Sequence, residues 1–117
     1  MPGMAVKRAS AAPDPQDGMR VLVDRRWPPG CTRDAVAVDL WLREAGPSEA
    51  LRRWYGGDTD RWPGFVERYR SEMRDRADLV RLLRELGRRG QVTLLHGTRD
   101  AEHNNAVALR RILDELA

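Results

Sequence analysis

The chain has 117 residues, 41% of them hydrophobic and 33% charged, with 10 Gly, 7 Pro and 1 Cys, which is the composition of one compact domain, residues 1–117, around a single core. Cys31 stands alone, so no internal disulfide forms and a reducing cytoplasm is expected, while no run nears the roughly 20 apolar residues of a membrane span and no secretory signal opens the chain. The net charge is +3, every basic residue except Lys7 is an arginine, and residues 1–60 balance 9 basic against 9 acidic side chains, so the excess, 12 against 9, falls in residues 61–117.

Met4–Arg8 reads as a short edge strand, and the Pro13, Pro15 and Asp17-Gly18 signals after it read as a loop. Arg20-Val21-Leu22-Val23-Asp24 is an apolar run between turn signals, the pattern of a buried strand, and Pro28-Pro29 cannot continue it. Val36, Val38, Leu40 and Leu42 alternate with other residues and predict a further strand, with a helix starting after Thr32 as the competing reading. Ser48 caps a predicted helix that carries Leu51, Trp54 and Tyr55 and stops at Gly56-Gly57.

Asp60 and Pro63 open the next helix, with Trp62, Phe65, Val66, Tyr69 and Met73 on one face. Asp78 opens another, with Leu79, Leu82, Leu83 and Leu86 turned inward and its end at Gly87 or Gly90. The arginines of these two helices alternate with Glu67, Glu72, Asp75, Asp78 and Glu85, which reads as a solvated helical surface. A phosphate-tracking stripe, the competing reading, needs one sign of charge to dominate. Gln91–Leu95 predicts a buried strand, and the last helix, capped by Asp100, carries Ala106, Leu109, Ile112, Leu113 and Leu116 inward. Strands separated by helices predict a small α/β layered fold with a partly parallel sheet of three to four strands flanked by helices.

In such sheets ligands bind beyond the carboxyl ends of the strands. Asp24, Arg25 and Trp27 follow one predicted strand, and Arg99, Asp100, His103 and Asn104 follow another. Arginine forks and a helix N-terminus suit a small anionic ligand, phosphate-bearing and nucleotide-like, with Asp24, or Asp100 together with His103, as the candidate general base. Ion pairing for Asp24 and capping for Asp100 are the structural alternatives. The four tryptophans read as anchors of core and loops before they read as a stacking platform, and Cys31 reads as an inert thiol before a nucleophile. Asp24, His96 and His103 show no metal-ligand spacing, and no cofactor motif occurs, so neither metal nor cofactor is expected.

The run Arg20 to Gly30, the stretch Asp39-Leu40-Trp41-Leu42, Pro47-Ser48, Leu51 to Gly56, Val92 to Leu95, Arg99-Asp100 and His103-Asn104 together resemble the YeaO-like family of small bacterial proteins, a domain of unknown function, from about Val6 to the C-terminus. The resemblance implies an α/β domain of unestablished activity whose signature positions fall here on Arg8, Asp24, Arg25, Trp27, Pro28, Gly30, Arg99, Asp100, His103 and Asn104. Pro29, Cys31, His96 and Asn105 depart from the family pattern. The expected site joins Arg8, Arg25 and Arg99 as an anion clamp, Asp24 or Asp100 as base, and His103 and Asn104 as orienting groups, with Trp27 beside them. Hydrolysis or group transfer is the chemistry such a site would carry. A noncatalytic nucleic-acid accessory or protein-interaction module is the rival reading.

Overall fold

A computed structural model describes residues 4–116; residues 1–3 and 117 of the predicted domain lie outside the described residues. Strands β1 (Met4–Arg8), β2 (Met19–Leu22), β3 (Leu40–Trp41) and β4 (Val92–His96) form one sheet in the order β1-β4-β2-β3. Every neighbouring pair is parallel, so the sheet is wholly rather than partly parallel. The reason lies in the connections, since each link between successive strands returns the chain to the same end of the sheet. The longest, from β3 to β4, carries helices α2 (Glu49–Tyr55), α3 (Trp62–Arg74) and α4 (Ala77–Arg89). Helix α5 (Asn105–Glu115) follows β4.

Side chains alternate across the strands, and this sorts the two faces. Val21, Val23, Val92 and Leu94 turn to the main core, where Phe65, Val66, Tyr69, Met73, Leu83, Leu109, Ile112 and Leu113 cover them. Leu22 and Leu95 turn the other way, into a small cluster with Ala9 and Val36, flanked by Trp27, Cys31, Val38 and Trp41. Helices therefore cover one face. The other is closed by loops and by the single turn α1 (Arg33–Val36).

That turn decides the ambiguous stretch before β3. Thr32 caps it by accepting from the Ala35 N–H, and Ala37 ends it in the left-handed region at φ 51°, so the alternation from Val36 yields only the two-residue strand Leu40–Trp41. The helix predicted from Ser48 forms as expected: Ser48 Oγ accepts from the Leu51 N–H at 3.1 Å and Gly56, at φ 54°, stops it. Asp60 does not open α3; Asp58 caps a preceding 3-10 turn, Thr59–Arg61, and Pro63 sits in the first turn of the helix. Tyr69 is fully buried in α3 and donates its hydroxyl hydrogen to the Ala45 carbonyl. In α4 the helix runs to Gly90, but Leu82, expected inward, is 40% exposed, because the buried stripe runs through Val80, Leu83 and Gly87 and Leu82 stands about a third of a turn away from it.

Beneath the loop side lies a buried ionic cluster. Asp17 accepts from Arg20 at 2.6 Å and from Lys7 at 3.0 Å, while the Arg20 guanidinium also donates to the Val36 carbonyl at 2.7 and 2.9 Å. Burial works against the Asp17 charge, but these hydrogen bonds outweigh it and hold the carboxyl below its ordinary range.

Candidate functional site

Strands β2 and β4 are central neighbours in register Leu22↔Leu95, so the segments that leave their carboxyl ends run side by side. Gly97 accordingly donates its N–H to Asp24 Oδ2 at 2.9 Å. A Cβ at Gly97 would meet Asp24 Oδ2 at 3.1 Å and Pro28 at 3.0 Å, so the close approach requires glycine. On its other oxygen Asp24 accepts from Asn105 Nδ2 at 2.9 Å, and the same amide nitrogen donates to the Val23 carbonyl at 2.8 Å. Asp24 is thus held by neutral donors. Burial dominates and pushes its carboxyl above the ordinary range, against the pull of those two bonds, of His96 when protonated and of the Arg52 charge.

Beyond Asp24 an open cleft of about 410 Å³ extends between the end of α2, the start of α3 and the segment that enters α5. One wall is aromatic: Tyr55, Trp62 and Phe65 are in mutual contact, with ring centroids 4.8 to 5.9 Å apart. Opposite in character are Arg25, Arg26, Arg52 and Arg53, also on the lining. Glu49 lies between Arg26, at 3.3 Å, and Arg52, at 3.6 Å. Arg25 spends its Nε on the Gly46 and Pro47 carbonyls, at 3.2 and 2.8 Å, which anchors the loop and leaves its terminal nitrogens without a protein partner among the described residues. Arg53 has no hydrogen-bond or ion-pair partner there either. The lining therefore carries more positive than negative charge.

His103 joins the cleft with its ring edge against Trp62, at 5.2 Å between centroids. Its Nδ1 meets Asp100 Oδ2 at 3.0 Å, an arrangement that orients the imidazole and leaves Nε2 available. Asp100 is not the cap of α5. That role belongs to Asn104, whose Oδ1 accepts from the Val107 N–H at 2.9 Å, because the helix starts at Asn105 rather than four residues earlier. Asp100 instead caps the preceding turn, accepting from the N–H groups of Glu102 and His103, and these bonds hold its carboxyl below the usual range. Asn104 also donates to the Asp100 carbonyl at 2.9 Å, so both ends of its amide are used within the protein. The Tyr55 hydroxyl is pushed up by burial and by the Asp100 and Asp58 charges, which keeps it a proton donor.

Of the residues expected at the site, Asp24, Arg25, His103 and Asn104 line this cleft, and Asp100 supports it through His103. Trp27 does not reach it. Its ring packs edge-on to Trp41 at 5.4 Å on the loop-covered face, its Nε1 donates to the Cys31 carbonyl at 2.6 Å, and Arg33 stacks over it. After Trp27 the chain turns at Pro29-Gly30, where the Cys31 N–H donates to the Pro28 carbonyl at 3.3 Å. Arg8 and Arg99 line a second depression with His96, toward β1. Among the described residues no three His, Cys, Asp or Glu side chains converge in a metal-holding arrangement, Asp24, His96 and His103 included. Arg52, Arg53, Tyr55, Trp62 and Asn105 were not expected in the lining. The signal for Arg53 is its place in the last turn of α2, where Glu49 is the one acidic residue within helical reach of both Arg52 and Arg53.

Comparison with known proteins decides the family. A family described as "Inactive DUF488-N3 subclade" matches residues 3–117. The chain belongs to the YeaO-like DUF488 family. Relatives of this DUF488 chain include an uncharacterised protein of Mycobacterium tuberculosis (strain ATCC 25618 / H37Rv), 41% identical over 101 residues that cover 86% of this chain and 85% of the relative. A Mycobacterium bovis protein, also uncharacterised, shows the same identity and coverage. The uncharacterised protein YeaO of Escherichia coli (strain K12) is 31% identical over 103 residues, 88% of this chain and 90% of its own length. No solved structure matches this DUF488 chain. Among its described residues no helix is long and apolar enough to cross a membrane.

Proposed function

We infer that the cleft binds a small anionic ligand, phosphate-bearing and of nucleotide type, and that it does so without turning it over. The observation that carries this reading is the pairing of two chemistries on one lining: the free terminal nitrogens of Arg25 and the guanidinium of Arg53, which has no partner among the described residues, line the same space as the Tyr55–Trp62–Phe65 wall. Guanidinium forks match phosphate oxygens, aromatic faces suit a base, and about 410 Å³ accommodates a molecule of that size. His103 Nε2 and the Tyr55 hydroxyl supply hydrogen bonds that orient it.

Binding is favoured over hydrolysis or group transfer by the arrangement of the lining. The Asp24 oxygens are engaged by Asn105 and Gly97, and Cys31, the one thiol, belongs to the small cluster on the other face of the sheet. The family description carries the word "inactive", which agrees with this reading. A nucleic-acid surface on α3 and α4 gains little support, because Arg70, Arg76, Arg81, Arg88 and Arg89 pair with Glu67, Glu72, Asp78 and Glu85. Such mixed-sign faces do not steer a polyanion.

The test is a thermal-shift panel of nucleotides, nucleosides, sugar phosphates and small carboxylates against the protein and its Arg53→Ala variant. A ligand at one hundred times its dissociation constant adds about 2.7 kcal/mol of stability, well above detection in a domain of this size. A nucleotide shift that is lost with Arg53→Ala supports the reading. Silence across the panel, or a shift indifferent to Arg53, refutes it.

A further inference from the structure

The second depression, of about 220 Å³, lies at the carboxyl ends of β1 and β4 against the start of α5. The parallel register pairs Arg8 with His96, and directly paired residues of neighbouring strands present their side chains to the same face of a sheet. Arg99, from the loop after β4, and Arg110, one turn beyond Val107 on α5, complete the lining. Lys7 also reaches it but is committed to Asp17 and the Ala12 carbonyl. Arg8, Arg99 and Arg110 have no hydrogen-bond or ion-pair partner among the described residues, and no Asp or Glu among them lines the depression. Three guanidiniums gathered without a counter-charge contrast with Arg70, Arg81, Arg88 and Arg89 of α3 and α4, each of which pairs with a neighbouring carboxylate.

A second, independent feature marks the same place. His96 is 3% exposed, and its Nδ1 is buried without a hydrogen-bond partner. A buried polar atom left unpartnered is disfavoured, and its persistence points to a group from outside the chain. Burial holds the imidazole below its ordinary value of 6.5, with Arg8 adding to that and against the Asp24 charge and a backbone hydrogen bond with Thr98, so the uncharged ring is favoured near neutral pH. We propose that Arg8, Arg99, Arg110 and His96 form a second anion site, separate from the cleft, that takes a single phosphate group, free or as a phosphate monoester. Guanidinium forks from three directions enclose a tetrahedral dianion, and the depression is too small for a nucleotide to enter whole. The site stands whether or not the cleft binds a nucleotide, since the two linings have no residue in common.

The test is a titration of the ¹⁵N-labelled protein with inorganic phosphate and with glycerol phosphate, at constant ionic strength held with chloride, following the His96 ring nitrogens. Saturable movement of the His96 Nδ1 resonance is expected, with dissociation constants at least tenfold weaker in Arg8→Ala/Arg99→Ala and unchanged in Arg53→Ala. Tighter binding of glycerol phosphate assigns the source as a monoester, and equal or tighter binding of inorganic phosphate assigns it as free phosphate. A His96 resonance that does not move, or moves equally in the double variant, overturns the proposal. So does a response confined to a short oligonucleotide, which would make the arginines a nucleic-acid contact. Because Arg8 and Arg99 are exposed and unpaired, the double variant is expected to fold, and its amide spectrum verifies this.

Discussion

Two enclosed carboxylates, Asp17 and Asp24, stand at opposite ends of β2, and their surroundings differ in kind. Asp17, on the loop-covered side, is gripped by two cations, Arg20 and Lys7, and held below its ordinary range. Asp24, at the cleft, receives only neutral donors, Asn105 and Gly97, and is pushed above that range by burial. The first arrangement closes a region of the fold. The second leaves arginines nearby unpaired and available to another anion, and that difference separates a structural corner from a binding site.

The largest expected effect breaks the structural corner. Asp17→Ala strands Arg20, 4% exposed, without its counter-charge and is expected to cost about 3–5 kcal/mol in urea unfolding, with Asp17→Ala/Arg20→Met recovering a substantial part. Asp24→Ala loses two neutral hydrogen bonds but also removes a charge that burial disfavours, so about 1–3 kcal/mol is expected. Equal losses from the two single variants would erase the distinction.

The pH dependence sharpens it further. His96 is held below 6.5, so the unfolded chain binds its proton first, and stability is expected to fall as pH drops below about 6.5. Asp24 acts in the opposite sense: its raised carboxyl takes up a proton in the folded state above 3.8, which relieves destabilisation as pH falls toward that value. Asp17, held below 3.8, contributes stability that is full well above 3.8 and is lost progressively as pH falls from about that value through its lowered folded value. Urea midpoints measured between pH 7 and 3 should show the initial decline flattened in His96→Gln and the late acid loss diminished in Asp17→Ala/Arg20→Met. A His96→Gln profile parallel to that of the unmodified protein would contradict the assignment. The smallest effect is Arg53→Ala, exposed and unpaired, which is expected to alter stability by no more than about 0.5 kcal/mol while weakening ligand binding.

Much of this was legible in the residues. The apolar runs around Val21 and Leu94 and the helical stripes of α3 and α5 place the sheet and its cover, because burial imposes periods of two and 3.6 on sequence. The rule that ligands bind beyond parallel strands brings Asp24 and His103 to one cleft. What the sequence could not show is the strand order. With β1 at the edge beside β4, Arg8 and Arg99 fall into a depression of their own, and Trp27 packs against Trp41 in the small cluster on the opposite face. Tertiary placement of α2 likewise brings Arg53 and Tyr55 to the cleft, which periodicity within one helix does not reveal. Asp100 and Asn104 are both favoured caps, and only the register of α5 assigns the helix to Asn104.

The most direct measurement is calorimetric titration of a nucleoside 5′-monophosphate and its parent nucleoside into the protein and into Arg53→Ala. Saturable binding of the monophosphate, with the nucleoside at least tenfold weaker and the variant weakened to a similar degree, is the predicted result. Binding that ignores the phosphate or ignores Arg53, or no binding of either compound, would contradict the assignment of the cleft as an anion site.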